Sequence, residues 1–222
     1  MRTKSDVQGY DISSHSAAVI GCGGLGTNVS VHLCGAGIGT LWLCDYDTVQ
    51  PSNLNRQFFY TPQDVGKAKC AVLSERLQAY APETVIHPVQ KKILSTDDLD
   101  FAKSAELIIL ALDNPVARSV AAAFCEKNDL PAVNGGVDGA FGTAYLFVPG
   151  KTASLETAGS LSVPVRTPHS QSPVVGIIGA LQAKLAVDYF LKDTASQGVL
   201  LCFDGLEIQK LPLKYGKGAD AT

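Results

Sequence analysis

A short apolar run over residues 17–20 feeds directly into Gly21, Cys22, Gly23, Gly24, Leu25 and Gly26, and a helical pattern carrying Val29, Val31 and Leu33 follows. This order is the strand, tight turn and helix of a nucleotide-binding βαβ unit. Glycines are needed at such a turn because the backbone must reverse sharply and let phosphate approach without a Cβ in the way. The helix that starts there offers unpaired N–H groups and a positive dipole end to an anion. A second apolar run over residues 40–44 ends at Asp45, about 20 residues beyond the turn, where a carboxylate can accept hydrogen bonds from ribose hydroxyls. Dehydrogenases, flavoproteins and other α/β domains share this much, so the glycine pattern alone specifies only a nucleotide.

A chain of 222 residues fits one domain able to bury roughly 70% of the surface its unfolded form exposes. We therefore expect a single domain over residues 1–222, an α/β fold with a Rossmann-like, mainly parallel sheet and an antiparallel C-terminal extension. With 46% hydrophobic and 18% charged residues the composition is globular. The formal net charge of -3 gives no bulk attraction to nucleic acid, although Arg56, Lys67 and Lys69 form a local basic group. Asp6 and Asp11 interrupt the N-terminal region, and no stretch reaches the ~18 apolar residues of a membrane span, so the expected location is cytoplasmic, away from membranes. The 6 cysteines are scattered without a Cys-x-x-Cys pair and read as small core residues.

Along the chain, the helix from Leu25 closes in the glycine-rich exit over residues 35–39. Phe58, Phe59 and Tyr60 read as core or interface packing, with base stacking as the alternative. A helix runs from the Lys67–Lys69 region to about Ala81, ahead of Pro82, and a third strand covers residues 84–89. A short acidic helix lies around residues 97–103. Residues 106–112 form an almost continuous apolar run, as a central parallel strand buried on both faces should. Asp113 and Asn114 follow it, with Arg118 about one helical turn on. A carboxylate there, at the C-terminal edge of a parallel strand, is placed for a ligand; the other reading makes Asp113 the N-cap of the helix to Asn128. Strand five at residues 131–134 precedes Gly135 and Gly136, and residues 140–148 begin the antiparallel extension. Residues 149–173 read as a long crossover loop. The final helix, residues 173–191, carries Val174, Ile177, Ile178, Leu181, Leu185 and Val187 on an apolar stripe suited to the core or to a two-fold interface, and two strands near residues 199–203 and 206–213 finish the sheet.

The segment after strand two reads Asp45, Tyr46, Asp47, Thr48, Val49, Gln50, Pro51, Ser52, Asn53, Leu54, Asn55, Arg56 and Gln57. It resembles the Asp-x-Asp-x-Val and Ser-Asn-Leu-x-Arg-Gln signature of the MoeB/ThiF/HesA family, the ubiquitin-activating-type adenylating enzymes. Gly66, Lys67, Ala68 and Lys69 resemble the family's Gly-x-x-Lys, and Asp113, Asn114 and Arg118 its Asp-Asn-x-x-x-Arg. The resemblance runs from Ser16 to about Leu213. It implies an adenylyltransferase that uses ATP and Mg²⁺ to activate the C-terminal carboxylate of a ubiquitin-like sulfur-carrier protein ending in Gly-Gly, releasing pyrophosphate. Asp45 would hold the ribose and Gly24 would let the phosphates close on the backbone. Asn53 would orient a phosphate oxygen or a metal-bound water, and Asn114 would stand in the nucleotide site beside Asp113. Arg56, Lys69 and a metal at Asp113 would supply the positive charge that an anionic carboxylate and triphosphate require.

This chain also departs from the family. Zinc-binding relatives follow Pro-Gly with Cys-x-x-Cys, whereas here Ser154 and Thr157 stand in the thiolate positions, so no structural zinc is expected. The crossover loop holds no cysteine, leaving Arg166 and His169 as its reactive-looking residues, and Arg2 is the only counterpart of an N-terminal arginine that reaches a partner subunit's nucleotide. Without a loop thiolate the enzyme would stop at the acyl-adenylate, with sulfur delivered by a separate persulfide donor. A homodimer through the helix at residues 173–191 is the expected assembly. Three rivals remain: a tRNA-modifying adenylating enzyme of the threonylcarbamoyladenosine dehydratase type, against which the acidic balance argues; a nicotinamide oxidoreductase, disfavoured by Arg56 and Lys69; and a non-catalytic nucleotide-binding partner subunit.

Overall fold

The computed structural model describes residues 9–160 and 170–213; Arg2, Arg166, His169 and residues 214–222 lie outside them. Eight strands form one sheet in the order β3-β2-β1-β4-β5-β6-β7-β8. They are β1 (Ser16–Ile20), β2 (Thr40–Cys44), β3 (Val85–Val89), β4 (Leu107–Leu110), β5 (Ala132–Asp138), β6 (Phe141–Phe147), β7 (Val199–Asp204) and β8 (Glu207–Pro212). The helices are α1 (Gly24–Gly35), α2 (Lys69–Tyr80), α3 (Pro115–Lys127), α4 (Leu155–Ser160) and α5 (Ser172–Phe190). Neighbours from β3 through β5 pair in parallel, and β5 through β8 pair antiparallel, so β5 is the strand at which the sheet changes sense.

Strands β1 and β4 are apolar at nearly every position because both of their faces are covered. Val19, Leu43, Ile109 and Val133 face the side closed by α1, α2 and α5. Ile20, Ile108, Leu110 and Ala132 face the side closed by α3, α4 and the 3₁₀ segment Thr96–Ser104. Truncating one of the buried leucines or isoleucines among them to Ala would cost about 2–5 kcal/mol. Strand β3 tolerates Pro88 because it lies at the sheet edge, where a missing N–H breaks no ladder on its outer side.

The glycine turn is dictated by close packing. Gly21 has φ +102°, and a Cβ at Gly26 would lie 1.8 Å from the Gly21 carbonyl oxygen, so helix and strand can meet this closely only without side chains. Helix α1 then ends where Gly37 adopts φ +84° and Ile38 N–H donates to Leu33 O at 3.1 Å, a left-handed cap that returns the chain to β2.

Two expectations need correction. The crossover is not a loop throughout, because α4 forms within it and docks by burying Leu155 and Ala158. Leu155 N–H donates to Glu126 Oε1 of α3 at 3.2 Å, and Tyr145 Oη donates to Ala153 O at 2.9 Å. Strand β5 continues through both glycines, since a Cβ at Gly135 would collide with Gln182 of α5 at 2.3 Å and only a bare backbone lets that helix lie so near. The apolar stripe of α5, suited to the core or to a two-fold interface, packs in part within the chain: α1, β5 and β6 lie against this helix, and Val174, Ile178 and Leu185 are buried. The same helix is long and apolar enough to cross a membrane by length and composition, yet here it is a core helix.

Candidate functional site

A cavity of about 710 Å³ opens where β1, β2, β4 and β5 end, on the side from which the glycine turn, Asp45, Asp113 and Gly136 face one another. This is the crevice where parallel sheets bind ligands, and its volume falls in the ~300–1,000 Å³ range of small-molecule sites.

The floor is the start of α1. Gly23 is its N-cap without a side-chain cap, and no acidic residue stands in its first turn, so the N–H groups of the turn are left for an anion. Gly24 lines the cavity, and a Cβ there would meet Val175 Cγ1 at 2.6 Å and Arg56 O at 3.2 Å, so packing as well as access demands glycine. Beside it, Asp45 accepts from Cys22 N–H and Asp47 N–H, both at 2.8 Å, tying the glycine turn to the end of β2. Burial raises the Asp45 pKa, and these two hydrogen bonds oppose the rise.

The cations come from the excursion between β2 and α2. Lys69, the first residue of α2, lines the cavity, and its Nζ pairs with Asp47 Oδ2 at 3.0 Å. Arg56 lines it too, its Nη1 donating to Ser52 O and Asn55 Oδ1, each at 3.0 Å. Lys67 instead points to solvent beside Asp64 at 3.3 Å. Asn53 is not among the lining residues: its Oδ1 accepts from Gln50 N–H at 3.0 Å and closes the 3₁₀ turn Pro51–Asn53. Phe58, Phe59 and Tyr60 are absent from the lining as well; Tyr60 is buried, and its hydroxyl donates to Cys22 O at 2.7 Å beneath the glycine turn.

On the opposite wall Asn114, not Asp113, is the N-cap of α3, accepting from Val116 N–H at 2.9 Å and Ala117 N–H at 3.1 Å. That settles the capping alternative and leaves the Asp113 carboxylate exposed in the cavity wall, with no hydrogen bond or ion pair among the described residues. Such a carboxylate fits Mg²⁺, which takes one or two carboxylates and completes its shell with phosphate and water. No group of three or more His, Cys, Asp or Glu gathers among the described residues, so any metal would depend on the nucleotide for most of its ligands.

Several lining residues had no role assigned from sequence. Gln57 is 4% exposed, stands next to Gly23, and its Oε1 has no partner among the described residues. Arg118 donates to Leu112 O and lies against Gly136; burial lowers its pKa, and the charge of Asp113 opposes that. Both residues belong to motifs noted above, which was the available signal. Lys91 and Lys92 also line the cavity, Lys91 pairing with Asp98 at 3.3 Å and Lys92 lying 5.2 Å above the Tyr46 ring. Two adjacent lysines after an edge strand carry no sequence signal that separates them from a solvated pair.

Fold and cavity together define a nucleotide-binding α/β domain of the adenylating type. The chain belongs to the ThiF family, which it matches over residues 4–218. It is 30% identical over 207 residues to the sulfur carrier protein ThiS adenylyltransferase of Escherichia coli (strain K12), covering 90% of this chain and 82% of the relative. It is 29% identical over 203 residues to the adenylyltransferase and sulfurtransferase MOCS3 of Dictyostelium discoideum, covering 88% of this chain and 48%, about half, of that longer protein. Among solved structures, E. coli MccB with ATP superposes with a TM-score of 0.80 at 24% identity, covering 93% of this chain and 65% of MccB, a likeness in fold. The protein is an ATP-dependent adenylyltransferase of the ubiquitin-activating type.

Proposed function

We propose that this enzyme adenylates the C-terminal carboxylate of a ubiquitin-like sulfur-carrier protein ending in Gly-Gly. A carboxylate oxygen attacks the α-phosphorus of ATP, the new oxygen–phosphorus bond forms, the bond to the bridging α–β oxygen breaks, and pyrophosphate leaves. The observation that carries the reading is the uncapped, acid-free start of α1 facing the same cavity as Lys69, Arg56 and Asp113. The helix start and the two cations stabilise the phosphates as negative charge builds on the leaving oxygen, and they are fixed in place before reaction. Asp45 accepts from the ribose hydroxyls and so sets the α-phosphate over the helix start. Bound at Asp113, Mg²⁺ would neutralise part of the triphosphate charge.

The naming of a sulfur-carrier adenylyltransferase among the relatives supports the carrier as substrate. In this reading the acyl-adenylate is the enzyme's product, and a separate protein persulfide consumes it. The test is ATP–pyrophosphate exchange with Mg²⁺ and small carrier proteins encoded near this gene. Exchange that needs both Mg²⁺ and an intact Gly-Gly terminus supports the reading. Tight ATP binding with no exchange for any carrier would overturn it in favour of a non-catalytic partner subunit.

A further inference from the structure

Helix α5 buries a carboxamide in an otherwise apolar contact. Gln182 is 0% exposed and packs among Ile178, Ala183, Leu185 and Ala186. A buried amide is costly unless it is hydrogen-bonded, and a leucine there would fill the helix–sheet contact without that cost.

The side chain reaches the point where two parallel strands part. Pairing of β4 with β5 ends at Leu110 opposite Asn134. Gln182 Nε2 donates to Leu110 O at 3.1 Å and reaches Val133 O at 3.5 Å, linking a carbonyl on each strand at the end of their ladder. Strand β5 is emptied to admit it, since a Cβ at Gly135 would lie 2.3 Å from Gln182 Cδ. Two positions far apart in sequence are thus committed to one contact.

We infer that Gln182 is a positioning residue for the adenylation site, holding the end of β4 from which Asp113 projects. This rests on the function proposed above. Gln182 does not line the cavity, so it acts through the backbone. On one side of the segment after Leu110, Ala111 N–H donates to Ile20 O at 2.9 Å, and the Ala111 carbonyl is pressed against the glycine turn, 2.5 Å from where a Gly21 Cβ would sit. Gln182 secures the same segment from the β5 side. Without its donor, the Leu110 and Val133 carbonyls lose the bridge that ties them together at the end of their ladder, and the segment after Leu110 shifts, carrying Asp113 with it.

The test compares Gln182→Leu and Gln182→Glu with wild type, counting folded molecules by circular dichroism and gel filtration. Gln182→Leu keeps apolar packing and removes the donor. Its exchange kcat is expected to fall about 10–100-fold, as for a reacting group misplaced by about 1 Å. Its KM for ATP should stay within about threefold, and the Mg²⁺ concentration for half-maximal rate should rise, because the displaced group is the metal carboxylate. Calorimetry of ATP binding with and without Mg²⁺ gives a readout that needs no carrier: the Mg²⁺-dependent gain in affinity should shrink in Gln182→Leu while metal-free binding is kept. That arm stands even if no carrier supports exchange, so failure of the proposed function and failure of this inference are separable. Gln182→Glu is the rescue variant, since only a protonated carboxyl has an O–H to donate to Leu110 O; its activity relative to wild type should climb as pH falls. A folded Gln182→Leu with wild-type kcat and wild-type Mg²⁺ dependence overturns the inference. So does a Gln182→Glu whose ratio to wild type stays low at every pH, since a buried carboxyl is protonated and able to donate over part of that range; this also decides the matter if the leucine variant fails to fold.

Discussion

The Nζ of Lys69 lies 3.0 Å from Oδ2 of Asp47, with the lysine side chain 8% exposed and the aspartate 45% exposed. Lys69 N–H also donates to Asp47 O at 3.0 Å, and Asp47 N–H donates to Asp45, so one residue joins the carboxylate proposed for the ribose to the lysine proposed for the phosphates. A buried ammonium needs an anion, and a triphosphate arriving from the open side would take over from Asp47.

Two substitutions separate these roles. Lys69→Ala should slow pyrophosphate exchange by on the order of 10²–10³, the cost of removing one charge-stabilising donor. Asp47→Asn leaves Lys69 without its anion, so the variant should melt below wild type and gain more from added ATP, which replaces the missing charge. Differential scanning fluorimetry with and without ATP checks this; equal ATP-induced rises in Tm would refute the exchange of partners.

Asp64 should govern acid stability. Burial alone would raise its pKa, but hydrogen bonds from Thr61 N–H and Oγ1, together with Lys67 and Arg76, hold it well below the usual carboxylate range. For a carboxylate depressed on folding, the stabilisation is fully present above the unfolded pKa of about 3.9 and is lost as pH falls below that value. Asp64→Asn should therefore cost about 1–2 kcal/mol near neutral pH, the scale of hydrogen bonds to a charged group whose cationic partners are partly exposed. The gap to wild type should narrow below about pH 4. Urea unfolding at pH 7, 4 and 3 measures it, and a gap independent of pH would contradict the assignment.

No thiol-sensitive conjugate should form between enzyme and carrier. All six cysteines are buried, and burial pushes the Cys44 and Cys125 thiols up to about 12, far from the thiolate a thioester requires. A gel run without reductant after incubation with ATP and carrier is the check. A band abolished by dithiothreitol and by one Cys→Ser change would show a reactive cysteine.

Purified protein should hold no stoichiometric zinc. Ser154 and Thr157 bond to each other, Oγ to Oγ1 at 2.9 Å, and Thr157 N–H donates to Ser154 Oγ at 3.1 Å, so the pair starts α4 as a hydroxyl cap. Hydroxyls are poor replacements for the thiolates of a structural zinc site. One zinc per chain surviving chelation, by elemental analysis, would mean ligands elsewhere.

What could be read from sequence was what backbone sterics or two-sided burial demand. The glycines of the turn are obligatory because Gly26 and Gly21 touch, and β4 is apolar throughout because both of its faces are covered. The parallel core and the antiparallel extension follow from those constraints, whereas Arg56 and Lys69 were legible only through the motifs of the family resemblance; the structure brings them to one cavity with Gly24, Asp45 and Asp113. Helix α4 escaped notice because it is six residues long and two buried positions, Leu155 and Ala158, are too few to establish a period. Choosing between Asp113 and Asn114 as the cap is a one-residue decision made by the geometry of the β4–α3 turn. Gln182 was invisible because helical periodicity assigns a polar residue to the solvent side, and nothing local reveals two carbonyls waiting above it.

Ala17 pairs with Leu107, so the side of β1 that faces β4 is closed by a strand lying 90 residues later in the chain. At ~5–20 residues per second of synthesis, that side stands open for roughly 5–20 s after β1 has been made. During that interval Ala18 and Ile20 have neither their strand partner nor the apolar cover that β4 and α3 bring, and the row of free N–H and C=O groups is a template for the wrong strand. The nascent chain is exposed to mispairing between the making of its glycine turn and the making of the strand that leads to Asp113.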